Sequence, residues 1–214
     1  NEWIKDTTFT EIRPNSHTGA TVSISNDGIT VAIASPGDYD ANDGTVTLYK
    51  RENSSWNEYL EINSSFITID TQQSYGVQVG TSMALSGDGS KIVIKSDNKL
   101  QDDGEGFLSV HNVDPNVSHG VQIGGSQRYM LHSPTLFYGE NGPLTISNDG
   151  TIIAWGIYSK DVNYSYVPIF RGSVIVYKFD GAIWREMGQE LTGDMRSENF
   201  GQSIALSGDG MIMA

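Results

Sequence analysis

The sequence predicts an all-β chain built from serially repeated, four-stranded antiparallel sheets, and three observations carry that expectation. Asp-Gly pairs recur at Asp27-Gly28, Asp88-Gly89, Asp149-Gly150 and Asp209-Gly210, in steps of 61, 61 and 60 residues, which is the spacing of a repeated module. An alternating apolar segment precedes each pair: Val22-Ser23-Ile24, Met83-Ala84-Leu85, Leu144-Thr145-Ile146 and Ile204-Ala205-Leu206. Its period of two is that of a strand. Composition agrees, since 24 glycines and a hydrophobic content of 37% in a chain rich in Thr, Ser, Val, Ile and Tyr favour strands joined by many turns.

A second apolar run follows each Asp-Gly pair, so each signature closes a hairpin. Ser25-Asn26-Asp27-Gly28 and its relatives suit that turn, because Asn and Asp side chains bond nearby backbone N–H groups and glycine accepts a positive φ. These residues are expected to fold the chain. A ligand role for the serine, asparagine or aspartate would need partners that the turn does not supply.

Taken in order, the chain opens with a strand expected around Trp3 to Phe9, and comparison with Trp184 places Trp3 late in a repeat. His17 to Ser35 reads as the first hairpin. Its second strand carries Ile29, Val31 and Ile33 on one face and Thr30, Ala32 and Ala34 on the other, a pattern suited to a strand between two close layers. After a turn-rich loop at 36–43 comes Gly44 to Lys50, whose relatives are Gly106 to Asn112 and Gly172 to Lys178. A fourth strand is expected from Trp56, and its counterpart from Trp184. The tryptophans at these repeated positions are expected to pack between strands or sheets.

The second module is looser, with strands expected at Ser82 to Leu85, Lys91 to Ile94, Gly106 to Val110 and from Gly120. It lacks the tryptophan, and with it roughly 150 to 250 Å² of contact area. An excursion at 125–141 holds Tyr129, Met130, Leu131, Leu136, Phe137 and Tyr138, with Pro134 set to interrupt any strand. It either carries a contact specific to this protein or covers a sheet edge. The third module contains a long loop from Tyr158 to Arg171, bearing Tyr158, Tyr164, Tyr166 and Phe170. The expected organisation is one repeat-built domain: a partial unit at 1–16, units at 17–74, 75–141 and 142–199, and a partial unit at 200–214. The residues are expected to form part of a longer repeat array.

A formal charge of −13, from 26 acidic against 13 basic residues, argues against nucleic acid as a partner. No apolar run reaches the roughly 20 residues of a membrane helix, so no transmembrane segment is expected. With no cysteine, disulfides, thiolate metal sites and a cysteine nucleophile are excluded. Asn53, Asn63, Asn116 and Asn163 each begin an N-x-Ser sequon, which points toward a glycosylated extracellular product.

The chain resembles the FG-GAP type of β-propeller repeat, found in the head of integrin alpha subunits and in secreted microbial and algal surface proteins. The best local match is Trp184 to Gly210, with Phe200-Gly201-Gln202-Ser203 at the Phe-Gly element. Ala34-Ser35-Pro36 matches the Gly-Ala-Pro element, and Gly44, Val46, Leu48 and Tyr49 match the strand after it. The resemblance implies a propeller of four-stranded blades used for adhesion or ligand presentation. Some members hold Ca2+ in an Asp-x-Asp-x-Asp-Gly loop. The nearest stretch here is Asp38-Tyr39-Asp40-Ala41-Asn42-Asp43-Gly44, which makes Asp38, Asp40 and Asp43 the candidate ligands, although the spacing is one residue off that series. A solvated turn is the competing reading.

No zinc-ligand, nucleophile-elbow or dinucleotide motif occurs in the sequence, and carboxylate pairs for glycoside hydrolysis are a matter of distances that sequence does not give. His17, His111, His119 and His132 show no metal-ligand spacing, and Gly80-Thr81-Ser82-Met83-Ala84 lacks the final glycine of a nucleophile elbow. The expected function is a non-enzymatic extracellular or cell-surface structural and adhesive module, whose loops at 127–141 and 158–171 meet protein partners. One alternative is a carbohydrate or small-ligand binder using exposed aromatic side chains. Another is a filament or coat subunit that self-associates through open strand edges.

Overall fold

The computed structural model describes residues 5–10, 16–37, 44–64, 77–98, 106–113, 142–157, 171–195 and 199–214. Strands β1 (Thr21–Ile24), β2 (Thr30–Ser35), β3 (Thr45–Glu52) and β4 (Ser55–Asn63) form a first sheet in chain order, each antiparallel to the next. Strands β5 (Val77–Leu85), β6 (Lys91–Asn98) and β7 (Gly106–Asn112) repeat the arrangement in a second sheet. In the third, β8 (Leu144–Ile146), β9 (Ile152–Ile157) and β10 (Ser173–Phe179) are followed by an outer strand in two pieces, β11 (Trp184–Glu186) and β12 (Leu191–Thr192). No α-helix occurs among the described residues.

The repeat seen in the sequence returns as a repeat of register. Ile24 lies opposite Val31, Leu85 opposite Ile92, Ile146 opposite Ile153, and Leu206 bridges Met213. The four signatures therefore occupy equivalent hairpins. In the fourth, Ala205 and Ala214 exchange both backbone hydrogen bonds, at 2.9 and 3.0 Å.

Alternation along the strands gives each sheet two apolar faces, and burying them stacks the sheets in chain order. Ala32, Ala34, Val46, Leu48 and Ile62 of the first sheet pack against Val79, Met83, Leu85, Ile92 and Ile94 of the second. On the opposite face of β6, Val93 joins Leu108 and Val110 in packing against Ile146, Ile153, Trp155, Ile175, Tyr177 and Trp184 of the third. Strand β6 is thus covered on both sides, which its unbroken apolar run Ile92-Val93-Ile94 requires.

The small residues on one face of β2 allow a close approach. Gly80 has φ +88, and a Cβ there would fall 2.8 Å from the Ala34 Cβ and 2.9 Å from Val46 Cγ2. At the same glycine the register of β5 on β6 jumps from Val79 opposite Ser96 to Ser82 opposite Lys95, a bulge at the point where the strand meets the first sheet. Strand β5 consequently runs from Val77, five residues earlier than alternation around Ser82 suggests.

Two other local expectations come out differently. Residues 5–10 form no strand, being held by side chains instead of a backbone ladder. Phe9 lies 4.6 Å from Tyr49 and edge-on to Trp56 at 5.9 Å, while Asp6 accepts hydrogen bonds from Arg51 at 3.1 Å and Trp56 Nε1 at 2.9 Å. The strand expected from Trp184 is split: β11 pairs with Tyr177 to Phe179, β12 pairs with Ser173 and Val174, and Gly188 with φ +82 lies between them. Trp184 is buried against Phe179, with ring centroids 5.3 Å apart, whereas Trp56 is half-buried. Trp3, the fourth strand expected from Gly120 and the excursion at 125–141 lie outside the described residues.

Leu48 sits fully buried at the first interface, and Val22 on β1 is exposed. Leu48→Ala is expected to lower the unfolding free energy by about 2–5 kcal/mol, through lost burial and the cavity left behind. Val22→Ala should change it by less than about 0.5 kcal/mol. Urea unfolding of the two variants measures the contrast, and equal losses would contradict the packing described.

Candidate functional site

The four signature turns have one hydrogen-bond plan. In the third, Ser147 Oγ donates to Asp149 Oδ1 at 2.6 Å and accepts from the Ile152 N–H at 3.0 Å, while Asp149 Oδ1 also accepts from the Thr151 N–H at 3.0 Å. Gly150 N–H closes the turn onto the Ser147 carbonyl at 3.0 Å. Its positive φ of 66° is why a glycine stands there. The serine-to-aspartate bond is repeated by Ser25 and Asp27 at 2.5 Å, Ser86 and Asp88 at 2.7 Å, and Ser207 and Asp209 at 2.6 Å. Thr30, Lys91 and Ile212 donate their N–H groups to the corresponding serines.

The turns also bond to one another. Asn26 N–H donates to the Gly87 carbonyl at 2.9 Å, Asp88 N–H to the Asn148 carbonyl at 2.9 Å, and Asn148 N–H to the Gly208 carbonyl at 2.8 Å. The second turn position alternates Asn26, Gly87, Asn148, Gly208, and the geometry requires it. A Cβ on Gly87 would lie 2.2 Å from Asn148 Oδ1 and 2.5 Å from Asn26 Nδ2, and one on Gly208 would lie 2.4 Å from Asn148 Nδ2. The two asparagines fill that space and bond directly, Asn26 Nδ2 donating to Asn148 Oδ1 at 2.9 Å. The alternation is written in the sequence as SNDG, SGDG, SNDG, SGDG, yet its meaning appears only when the turns meet.

These contacts hold the turn carboxylates in their charged form. Asp27, Asp149 and Asp209 lie below the ordinary value of 3.8, chiefly through the serine hydroxyl in each turn, then through backbone N–H donation and, for Asp149, the Thr151 hydroxyl ahead of it. For Asp88 burial is the largest influence and pulls upward, but Ser86 and Ser90 together outweigh it. Asp180, in the turn before β11, is pushed down to about 2 by the Ile183 and Ala182 N–H groups and by Arg185. The signature aspartates therefore act as turn acceptors. Among the described residues no group of three or more His, Asp or Glu side chains could hold a metal ion.

The other candidates distribute unevenly. Asp38, Asp40 and Asp43 lie outside the described residues, as do Tyr129, Phe137, Tyr138, Tyr158, Tyr164, Tyr166, Phe170, Asn116 and Asn163. Asn53 is exposed in the two-residue turn between β3 and β4, with φ 51°, and Asn63 is half-buried at the end of β4.

Strand direction separates the connections into two groups. At the end holding the signature turns, the links from β3 to β4 and from β10 to β11 span 53–54 and 180–183. The links leaving the opposite end span 36–44, 64–76, 99–105 and 158–172, that is, nine, thirteen, seven and fifteen residues. Links that begin and finish at the signature end are thus short and those that begin and finish at the opposite end are longer, while the 31-residue link from β7 to β8, 113–143, runs from the signature end to the opposite one.

No family model and no curated protein matches the chain. Among solved structures it is similar to Sqt1 from Chaetomium thermophilum, with a TM-score of 0.52 and 16% identity over 94% of this chain and 42% of that one. Weaker similarities are to a hypothetical selenium-binding protein from Sulfolobus tokodaii and to the tricorn protease. The first has a TM-score of 0.47 and 13% identity, covering 86% of this chain and 45% of that one; the second has 0.41 and 15%, covering 86% and 14%. At such identity the likeness concerns the fold, which is all-β and β-propeller-like. The chain spans 42% of the length of the Sqt1 chain it matches.

Two outcomes follow from the turns. A carboxylate whose folded pKa is depressed adds stability that is complete above its unfolded value and is lost as pH falls through the folded one. The thermal midpoint should therefore fall as pH drops below about 4, and Asp149→Asn should flatten that acid limb. A limb unchanged by the substitution would contradict the assignment. Separately, Gly87→Ala should cost about 1–3 kcal/mol by overpacking, and adding Asn148→Gly should recover most of that loss. Additive losses in a denaturant double-mutant cycle would show that the two positions do not meet.

Proposed function

We propose that the chain is a non-enzymatic binding scaffold of the extracellular space or cell surface, which presents loops from one end of its sheet stack to a protein partner. The observation that carries this reading is the division of the connections that stay at one end: two and four residues at the end of the signature turns, seven to fifteen at the other, with the 31-residue link 113–143 running from the first end to the second. Length variation on a rigid frame is how one fold is adapted to different ligands. The signature carboxylates are occupied within their turns, which leaves the variable end as the place for recognition chemistry.

An extracellular setting is supported by the exposure of Asn53, whose sequon occupies a turn able to carry a glycan without disturbing a strand. The sequence between β9 and β10 carries Tyr158, Tyr164, Tyr166 and Phe170. Aromatic side chains of this kind give large contact area at low entropic cost. Calcium remains part of the proposal at Asp38, Asp40 and Asp43, in the connection from β2 to β3.

The test replaces 158–171, and separately 127–141, with Gly-Ser linkers, and assays binding to immobilised extracellular-matrix proteins and to a glycan array, with calcium and with chelator. At least one replacement should abolish binding to a matrix protein while the thermal midpoint is retained. Glycan binding without protein binding would favour the carbohydrate reading. Protein binding unchanged by both replacements would overturn the assignment of the site.

A further inference from the structure

Every signature turn contains an Asp-Gly peptide bond, a reactive pair because glycine has no side chain to keep its nitrogen away from the aspartate carboxyl. In that reaction the protonated carboxyl is attacked at Cγ by the glycine nitrogen. A C–N bond forms, the carboxyl C–O bond breaks, and the hydroxyl leaves with the amide proton as water, closing a five-membered succinimide. Solvent water then adds to the former backbone carbonyl and breaks the original peptide C–N bond. The product is isoaspartate, of unchanged mass, with the chain running through Cγ and the α-carboxylate left as the side group.

Most of the local geometry is the same in the four turns. Asp27, Asp88, Asp149 and Asp209 are all exposed, so water reaches each of them. The N–H groups of Gly28, Gly89, Gly150 and Gly210 donate to the carbonyls of Ser25, Ser86, Ser147 and Ser207 at 2.9, 2.9, 3.0 and 2.8 Å. In each turn the serine hydroxyl and the N–H two residues after the aspartate hold Oδ1 of the carboxylate. What differs is the side chain at that later position, which is Ile29, Ser90, Thr151 and Met211. Thr151 Oγ1 donates to Asp149 Oδ1 at 2.8 Å and to Oδ2 at 2.9 Å, so both oxygens of that carboxylate are held. The Ser90 hydroxyl also bonds Asp88. Ile29 and Met211 have no hydroxyl to offer, and the bonds to Asp27 and Asp209 reach Oδ1 alone among the described residues.

We propose that Asp27-Gly28 and Asp209-Gly210 are isoaspartate-forming sites of this chain, and that the hydroxyl two residues after the aspartate keeps Asp88-Gly89 and Asp149-Gly150 intact. For Cγ to meet the glycine nitrogen, the carboxyl must leave its partners and turn. A third donor, bonded to a charged acceptor, makes that departure rarer. Ser90 and Thr151 are positioning residues in this sense, since each acts by fixing the aspartate. Isomerisation at Asp27 adds one atom to the backbone of the first turn, whose Asn26 N–H bonds the Gly87 carbonyl, so the modification strikes a joint between sheets.

The test incubates the folded chain for several weeks at physiological temperature and neutral pH, and reads isoaspartate at each site by peptide mapping and by isoaspartyl-methyltransferase labelling. Asp27 and Asp209 should convert about tenfold faster than Asp88 and Asp149, the factor that one further hydrogen bond to a charged group supplies. Two substitutions reverse the difference at fixed positions. Thr151→Val keeps the backbone donor and removes the hydroxyl, and should raise conversion at Asp149 toward that of Asp27. Ile29→Thr adds a hydroxyl at a side chain that is 39% exposed, and should slow conversion at Asp27 toward that of Asp149. Thermal midpoints confirm that both variants stay folded, and in concentrated urea the four rates should converge. Equal rates at the four sites of the native chain overturn the proposal. So does a difference that persists in urea, a rate at Asp27 that Ile29→Thr leaves unchanged, or a rise in Thr151→Val that Asp27 shares equally, which would report general loosening.

Discussion

The hydrogen bonds from one signature turn to the next are the constraint on which the arrangement of the sheets depends. Apolar burial drives the sheets together, but it is nearly indifferent to small slides and rotations of one sheet on another. The bonds from Asn26 to Gly87, Asp88 to Asn148 and Asn148 to Gly208 remove that freedom, because they tie the inner hairpins at a fixed point in every repeat. Each turn can offer those groups only because its serine and aspartate satisfy its own backbone. Ser147 and Asp149 engage the N–H groups of Thr151 and Ile152, leaving the Asn148 amide and carbonyl directed at neighbouring turns.

Close packing then follows from residue size at a few positions. Ala34 and Gly80 let the first two sheets approach near their far ends, and Gly44 has the Val79 backbone at 2.7 Å from where its Cβ would be. Larger residues, Trp155 and Trp184 among them, fill the second interface, where the facing strands carry Leu108 and Val110. The two interfaces are therefore chemically different although they arise from the same repeat. Such differences keep serial modules in order, since exchanging neighbours would bring bulky faces against close ones.

Much of this is legible in the sequence alone. The 61-residue spacing located the hairpins, and the period of two around Ile24, Leu85, Ile146 and Leu206 gave their strands and facing residues. Bulge placement was harder to read. Nothing local to Gly80 shows that its work is to admit Ala34 and Val46, a reason that exists only between sheets. The split of β11 from β12 is announced only by Gly188 and by the uneven spacing of Trp184, Met187 and Leu191, neither of which says where each piece pairs. The Asn/Gly alternation lay in plain view, but its cause is contact among residues some 60 and 120 positions apart. Residues 5–10 misled for a related reason, since their aromatic and charged side chains find partners on β3 and β4 that no local pattern announces.

Under the proposed function the signature turns are architecture and the longer connections are where binding evolves, with the repeat supplying a frame that tolerates connections of different length. The central claim is that lateral turn contacts are integral to the folded core. Amide hydrogen exchange at Asn26, Asp88 and Asn148 tests it most directly. Protection equal to that of the β9 amide of Ile153, lost only on global unfolding, is the predicted result. Exchange at the rate of open surface turns, while Ile153 remains protected, would show that the turns lie side by side without holding the sheets together.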